Sequence, residues 1–267
     1  ADAPRMFSEL TPRSIAVDAG GRPHIVYGQD HLYHAYYDGS AWRTETVDDA
    51  SRVGEHASIA IGSGNEIHIS YYDVLNGDLK YATKRSGAWV ASTVDSAGNV
   101  GQYSCIALGS AGKVHISYYD ATALVLKYAS KTSASAAWTT EQVDGGNVGQ
   151  YSALALDATG FVHIGYYDAG NQDLKYATNA TGAWVATTVD AGGNVGSYAS
   201  IAVAAATGAI HISYYDSTNG DLKYATNATG AWTTATVDDP VENVGWFTSL
   251  AVDGAGKVHI SYYDVTN

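Results

Sequence analysis

The chain has 267 residues, 46% of them hydrophobic, 15% charged, and a formal charge of −13. That length suits one large all-β domain. Such an excess of acid repels nucleic acid and anionic lipid, and no apolar stretch approaches the ~18 residues of a membrane span. The composition carries 21 Tyr against 3 Phe, with 29 Gly, which favours many short strands joined by tight turns. Arg13, Arg22, Arg43 and Arg52 all fall in the first 52 residues. The opening Ala-Asp-Ala-Pro suits the end left by signal cleavage, and the Lys-poor surface suits an exported, periplasmic or cell-surface protein.

A histidine followed by Ile recurs at 24, 68, 115, 163, 211 and 259, at spacings of 44, 47, 48, 48 and 48. A tryptophan recurs at 42, 89, 138, 184 and 232. Two independent markers with one period define a repeat. One unit runs through 198–203 (Tyr-Ala-Ser-Ile-Ala-Val), 210–216 (Ile-His-Ile-Ser-Tyr-Tyr-Asp), 221–226 (Asp-Leu-Lys-Tyr-Ala-Thr) and 231–238, which begins Ala-Trp. These are four strand-like segments separated by turn chemistry. Four antiparallel strands at this period predict a β-propeller blade. The fold class expected is an all-β propeller of four-stranded antiparallel blades, six blades with five as the alternative. The single domain 1–267 holds units at about 11–48, 56–95, 103–144, 151–190, 198–238 and a partial 247–267. Residues 5–10 are a candidate for an additional strand that closes the ring.

The Ser-Ile-Ala-x-Asp-x-x-Gly-x-x-His-Ile strand pair resembles the first half of the repeat in NHL- and YWTD-type six-bladed propellers. The Tyr-Tyr-Asp…Leu-Lys-Tyr-Ala…Trp run resembles repeats of exported bacterial propellers of the BNR or sialidase-like kind, whose functions are mostly unknown. The resemblance implies that the Ser-Ile-Ala strand lines the central channel and the Trp strand lies outermost. The loops before each inner strand and those between second and third strands then share one face, with a concave mouth at its centre.

On that face Gln102, Tyr103, Gln150, Tyr151, Tyr198, Trp246 and Phe247 are the candidate ligand-binding residues. Aromatic faces stack on apolar ligand surfaces and amides satisfy hydroxyls; plugging gaps between blades is the commoner role for such rings and weighs against this reading. Trp246 stands out because no other repeat has Trp there. The pairs Asp73 and Asp78, Asp168 and Asp173, and Asp216 and Asp221 flank hairpin loops and are weak calcium candidates, weighed against turn capping by Asp. No cofactor other than calcium suggests itself. The repeated histidines read as structural hydrogen-bonding groups, Cys105 as a small buried side chain, and Asn179-Ala-Thr and Asn227-Ala-Thr as turns rather than glycosylation sites.

No catalytic residue is assigned. The near-identity of units two to five points to a non-catalytic binding module for glycans or a protein partner, with several equivalent sites. The alternatives are a scaffold subunit of a surface assembly and a glycoside hydrolase-like propeller enzyme. The last requires an asymmetric polar cluster in the mouth, expected around Arg13, Arg52 and His56.

Overall fold

The computed structural model describes residues 13–28, 30–85, 87–133, 136–239 and 243–265. The strand proposed at 5–10 lies outside them. Five four-stranded antiparallel sheets and one two-stranded sheet follow one another along the chain, each with its strands in sequence order. These are the blades of the expected propeller: five complete, and a sixth represented by an inner strand, Val244–Val252, and a second strand, Val258–Asp264. Blade five is Val195–Val203, Ile210–Asp216, Asp221–Thr226 and Thr233–Asp238. No helix among the described residues is long and apolar enough to cross a membrane.

The second strands of blades two to five are buried along their whole length, for example Val114–Asp120 and Val162–Asp168. Each is covered on both faces by neighbouring blades, so it carries apolar side chains in both phases of the alternation. The odd phase points to the preceding blade and the even phase to the following one.

A polar clasp repeats at the four junctions between blades one and five. The Asp ending the outer strand of one blade accepts a hydrogen bond from a buried Tyr and another from a Lys of the next. The sets are Asp48 with Tyr71 and Lys80, Asp95 with Tyr118 and Lys127, Asp144 with Tyr166 and Lys175, and Asp190 with Tyr214 and Lys223. Deeper in, the repeated His bonds the Tyr of its own third strand: His68 to Tyr81, His115 to Tyr128, His163 to Tyr176 and His211 to Tyr224. Trp138, Trp184 and Trp232 pack edge-on against Tyr81, Tyr128 and Tyr176 of the preceding blade. Cys105 is buried, and its sulfur takes the place of a serine hydroxyl by accepting from the Leu154 N–H. Asn179 and Asn227 accept from the Val162 and Ile210 N–H groups, so both act in their turns.

Burial alone would raise the clasp carboxyls, but the Lys and Tyr hydrogen bonds outweigh it and hold them below the ordinary Asp value. A carboxyl depressed in the folded state stabilises above its unfolded pKa and loses that contribution as pH falls through its folded one. Asp144→Ala strands Tyr166 and Lys175 and is expected to lower stability by about 1–3 kcal/mol. Chemical denaturation at pH 7 and below pH 4 checks this: the difference from wild type shrinks at the lower pH.

Candidate functional site at the channel mouth

In blades two to six the inner strand opens with Gly-x-aromatic, and this triplet builds the mouth. Gly101 and Gly149 have φ of 109° and 111°, and a Cβ there would lie 2.7 and 2.8 Å from the Cα of Leu79 and Leu126 in the preceding blade. Only glycine allows that approach. Two residues on, the backbone turns left-handed again at Tyr103, Tyr151, Tyr198 and Phe247, with φ of 51–55°. The register with the second strand shifts here; Tyr119 faces Gln102 while Ser117 faces Cys105. The bulge re-aims the side chain, and the carbonyl it frees is taken by the next blade: Ser104 donates to His56 O, Ser152 to Tyr103 O, Thr248 to Tyr198 O.

The re-aimed rings meet one another. Centroids lie 4.5 Å apart for His56 and Tyr103, 4.7 Å for Tyr103 and Tyr151, 4.7 Å for Tyr151 and Tyr198, and 4.6 Å for Tyr198 and Phe247. Contacts this short, one blade to the next, make the rings a floor across the mouth. The expected residues Tyr103, Tyr151, Tyr198 and Phe247 are thus brought together. Gln102 and Gln150 sit just before their tyrosines, half-buried, and the indole of Trp246 stacks on Tyr198 at 5.6 Å.

The floor is not uniform. At each later junction a second-strand Tyr donates to an Asn heading the next inner strand: Tyr72 to Asn99, Tyr119 to Asn147, Tyr167 to Asn194 and Tyr215 to Asn243. At the junction of blades one and two these positions are Gly28 and Arg52. The following positions, Gln102 and Tyr103 in blade three, are Glu55 and His56. Four mouth-facing positions depart from the repeat at one place. Arg52 has φ of 56°, its N–H donates to Asp30 O at 2.7 Å, and its carbonyl accepts from Val74 N at 3.0 Å. Its guanidinium has no ion pair among the described residues, whereas Arg22 is paired with Asp18 and Arg43 with Asp38. His56 packs between Tyr103 and Tyr72, and its ring nitrogens have no hydrogen-bond partner among the described residues. Burial holds its pKa down at about 4, so near neutral pH it is an uncharged imidazole with a free lone pair.

Arg13, expected in this cluster, lies elsewhere. Its guanidinium donates to the Ile201 carbonyl of blade five at 3.2 Å, and it lines a channel cavity of about 410 Å³ with Ile59, Ile106 and Leu156. His34 is not at the mouth either; it replaces the third-strand Tyr of its blade and bonds His24 and Glu45. Glu55 and Gly28 were missed by the sequence reading, although aligning the repeats column by column would have exposed both.

The acidic hairpins are turn caps. Asp216 Oδ1 accepts from the Thr218 and Asn219 N–H groups at 3.0 and 3.2 Å, and Oδ2 from the Asn219 amide at 2.9 Å. Asp73 and Asp168 do the same. Asp78, Asp173 and Asp221 sit directly opposite; burial first, and then nearby carboxylates, raise their pKa values. Among the described residues no group of three or more His, Cys, Asp or Glu is gathered as metal ligands.

No protein-family model and no curated protein matches this sequence. Solved structures match its fold. AofleA from Arthrobotrys oligospora superimposes with a TM-score of 0.65 at 13% identity, over 97% of this chain and 81% of that one. An ulvan lyase from a new family of polysaccharide lyases gives 0.63 at 13%, over 94% and 78%. The NanB sialidase from Streptococcus pneumoniae gives 0.59 at 10%, over 95% of this chain and 65% of that one. The resemblance to sialidase-like propellers therefore holds at the level of fold.

These findings correct the expectation of a non-catalytic, repeat-symmetric binder. The matched folds whose activities are stated are glycan-processing enzymes. The symmetry argument also fails at its own site, because Gly28, Arg52, Glu55 and His56 break the repeat together. If these departures serve a reaction rather than the fold, restoring the repeat should not harm stability. His56→Tyr is expected to keep or raise the melting temperature, which calorimetry measures.

Proposed function

We propose that the protein is a glycan-processing enzyme whose reaction centre is the junction of blades one and two, and that it cleaves uronate-containing polysaccharides by elimination. The observation that carries this is the joint departure of Arg52, Glu55 and His56 from the repeat at the head of one inner strand, with the His56 imidazole against the Tyr103 phenol. Arg52 pairs with the sugar carboxylate and stabilises the charge that develops when the adjacent C–H is deprotonated. His56 takes that proton; the C–H electron pair forms the new carbon–carbon double bond as the bond to the glycosidic oxygen breaks. Tyr103, 4.5 Å from His56 centroid to centroid, gives its phenolic proton to the departing oxygen. A pKa near 4 makes His56 a weak base in the free protein. An arriving carboxylate raises it, because a nearby negative charge favours imidazolium.

Hydrolysis fits these residues less well. A glycosidase of the usual kind uses two carboxylates at a set separation. Among the described inner-strand positions of the mouth Glu55 is the one carboxylate, and the hairpin aspartates Asp73, Asp168 and Asp216 are occupied in capping. A sialidase-like site needs a cluster of arginines, and here Arg13, Arg22 and Arg43 are engaged elsewhere. The ulvan lyase likeness supports the reading at the level of fold.

The test is the ultraviolet absorbance of unsaturated product on a panel of uronate polymers including ulvan. His56→Ala and Tyr103→Phe are each expected to lower kcat by about 10²-fold or more, and Arg52→Ala to raise KM. The wild-type kcat/KM should rise with pH through a group titrating near 4. Release of reducing ends from neutral glycans, with no absorbance change on any uronate polymer, would replace elimination by hydrolysis.

A further inference from the structure

The mouth has a second departure from the repeat, at its other end. The residue before each floor ring is Glu55, Gln102, Gln150 and Ser197 in blades two to five, and Trp246 in blade six. Four polar side chains give way to one indole. It stacks on Tyr198 at 5.6 Å with planes 27° apart, and meets Tyr215 and Phe247 edge-on at 6.0 and 6.2 Å. Phe247, the only floor ring without a polar atom among those described, lies 4.6 Å from Tyr198 and is 43% exposed. The result is a wall and floor of four touching aromatic rings at the rim.

This arrangement is not what stability asks for. The indole Nε1 is buried without a hydrogen-bond partner among the described residues, a desolvation cost left uncompensated, and a large exposed phenyl ring gains little from burial. A glutamine, as in blades three and four, would remove the stranded donor. Costs accepted by the fold at a concave mouth point to a ligand.

The placement says which part of the ligand. The described floor is one row, His56, Tyr103, Tyr151, Tyr198 and Phe247, each ring against the next, with His56 at one end and Phe247 at the other. A chain lying along this row meets His56 at one end and Trp246 and Phe247 at the other. We infer that Trp246 and Phe247 form a sugar subsite that takes the apolar face of a pyranose further along the chain from the residue being cleaved. The orientation rests on the proposed reaction at His56; the subsite itself does not. The C–H face of a pyranose offers the flat apolar surface such rings stack against, and the unpaired amides of Gln102 and Gln150 suit hydroxyls further round.

Trp246 also supplies its own reporter. The other five tryptophans, Trp42, Trp89, Trp138, Trp184 and Trp232, lie in or beside the outer strands, away from the mouth. Ulvan oligosaccharides, with xylo-oligosaccharides as a neutral probe, are titrated into His56→Ala while tryptophan emission is followed. Binding should change the emission, and Trp246→Gln in the same background should abolish that change. In the active protein, Trp246→Gln and Phe247→Ala should each raise KM about tenfold, equivalent to about 1.4 kcal/mol, with kcat within twofold. Trp246→Gln should melt at or above the wild-type temperature.

An unchanged KM with normal turnover would overturn the subsite and leave the reaction centre standing. A lower melting temperature with kcat and KM both impaired would also overturn it, by showing that the indole is structural. A Trp246-dependent emission change without turnover of any uronate polymer would support the subsite while removing the proposed reaction.

Discussion

One backbone contact sets the geometry of this molecule. In blades three to six the glycine opening each inner strand lies against the start of the previous blade's third strand, so close that a Cβ would fall 2.7–2.9 Å from a leucine Cα. That contact fixes the spacing of the blades on the mouth side. The same glycine begins the bulge that swings the residue two places on towards the axis. A hydroxyl from the next blade then holds the carbonyl freed by the bulge. Tyr103 and Tyr198 are therefore fixed by the strand before them, the glycine beneath them and the blade beyond them. A reaction centre needs side chains held within narrow limits by their support, and here the support is the architecture itself.

The period of His and Trp made the blade order legible, because every blade solves the same problem with the same residues. His68 to Tyr81 and Asp144 to Tyr166 and Lys175 are local solutions repeated along the chain, and repetition is visible without coordinates. The direction of the aromatic side chains was not legible. Tyr103 reads as a member of a loop or the start of a strand; only the left-handed backbone at Gly101 and Tyr103, with its register shift, turns the ring to the axis. Strand alternation breaks at a bulge, so counting by twos fails where the site is built. The grouping of Arg52 with Glu55 and His56 was within reach, since Asn, Gln and Tyr occupy those columns in blade three. Arg13 was misplaced because its reach across the channel to Ile201 depends on the ring closing in three dimensions.

Charge shows why the blade one–two junction differs from every other part of the mouth. A net charge of −13 opposes an anionic polymer at long range, so the proposed uronate substrate calls for a local attraction. The clasps use Lys80, Lys127, Lys175 and Lys223 to neutralise the blade-joining aspartates, and Lys84 is held by Glu45. Lys113 and Lys257 sit in the turns between inner and second strands, at the opposite end of the channel. On the mouth face, among the described residues, this leaves Arg52 as the cation outside any ion pair. Its counterparts at the later junctions are asparagines tied to tyrosines, which close those junctions with a neutral hydrogen bond. Substituting Gly28 for the tyrosine removes the donor, and substituting Arg52 for the asparagine puts a charge where the bond had been. The same two changes that forgo a packing interaction thus supply what the proposed anionic sugar would require, on the strand that carries His56, the floor residue among those described that can accept a proton at neutral pH.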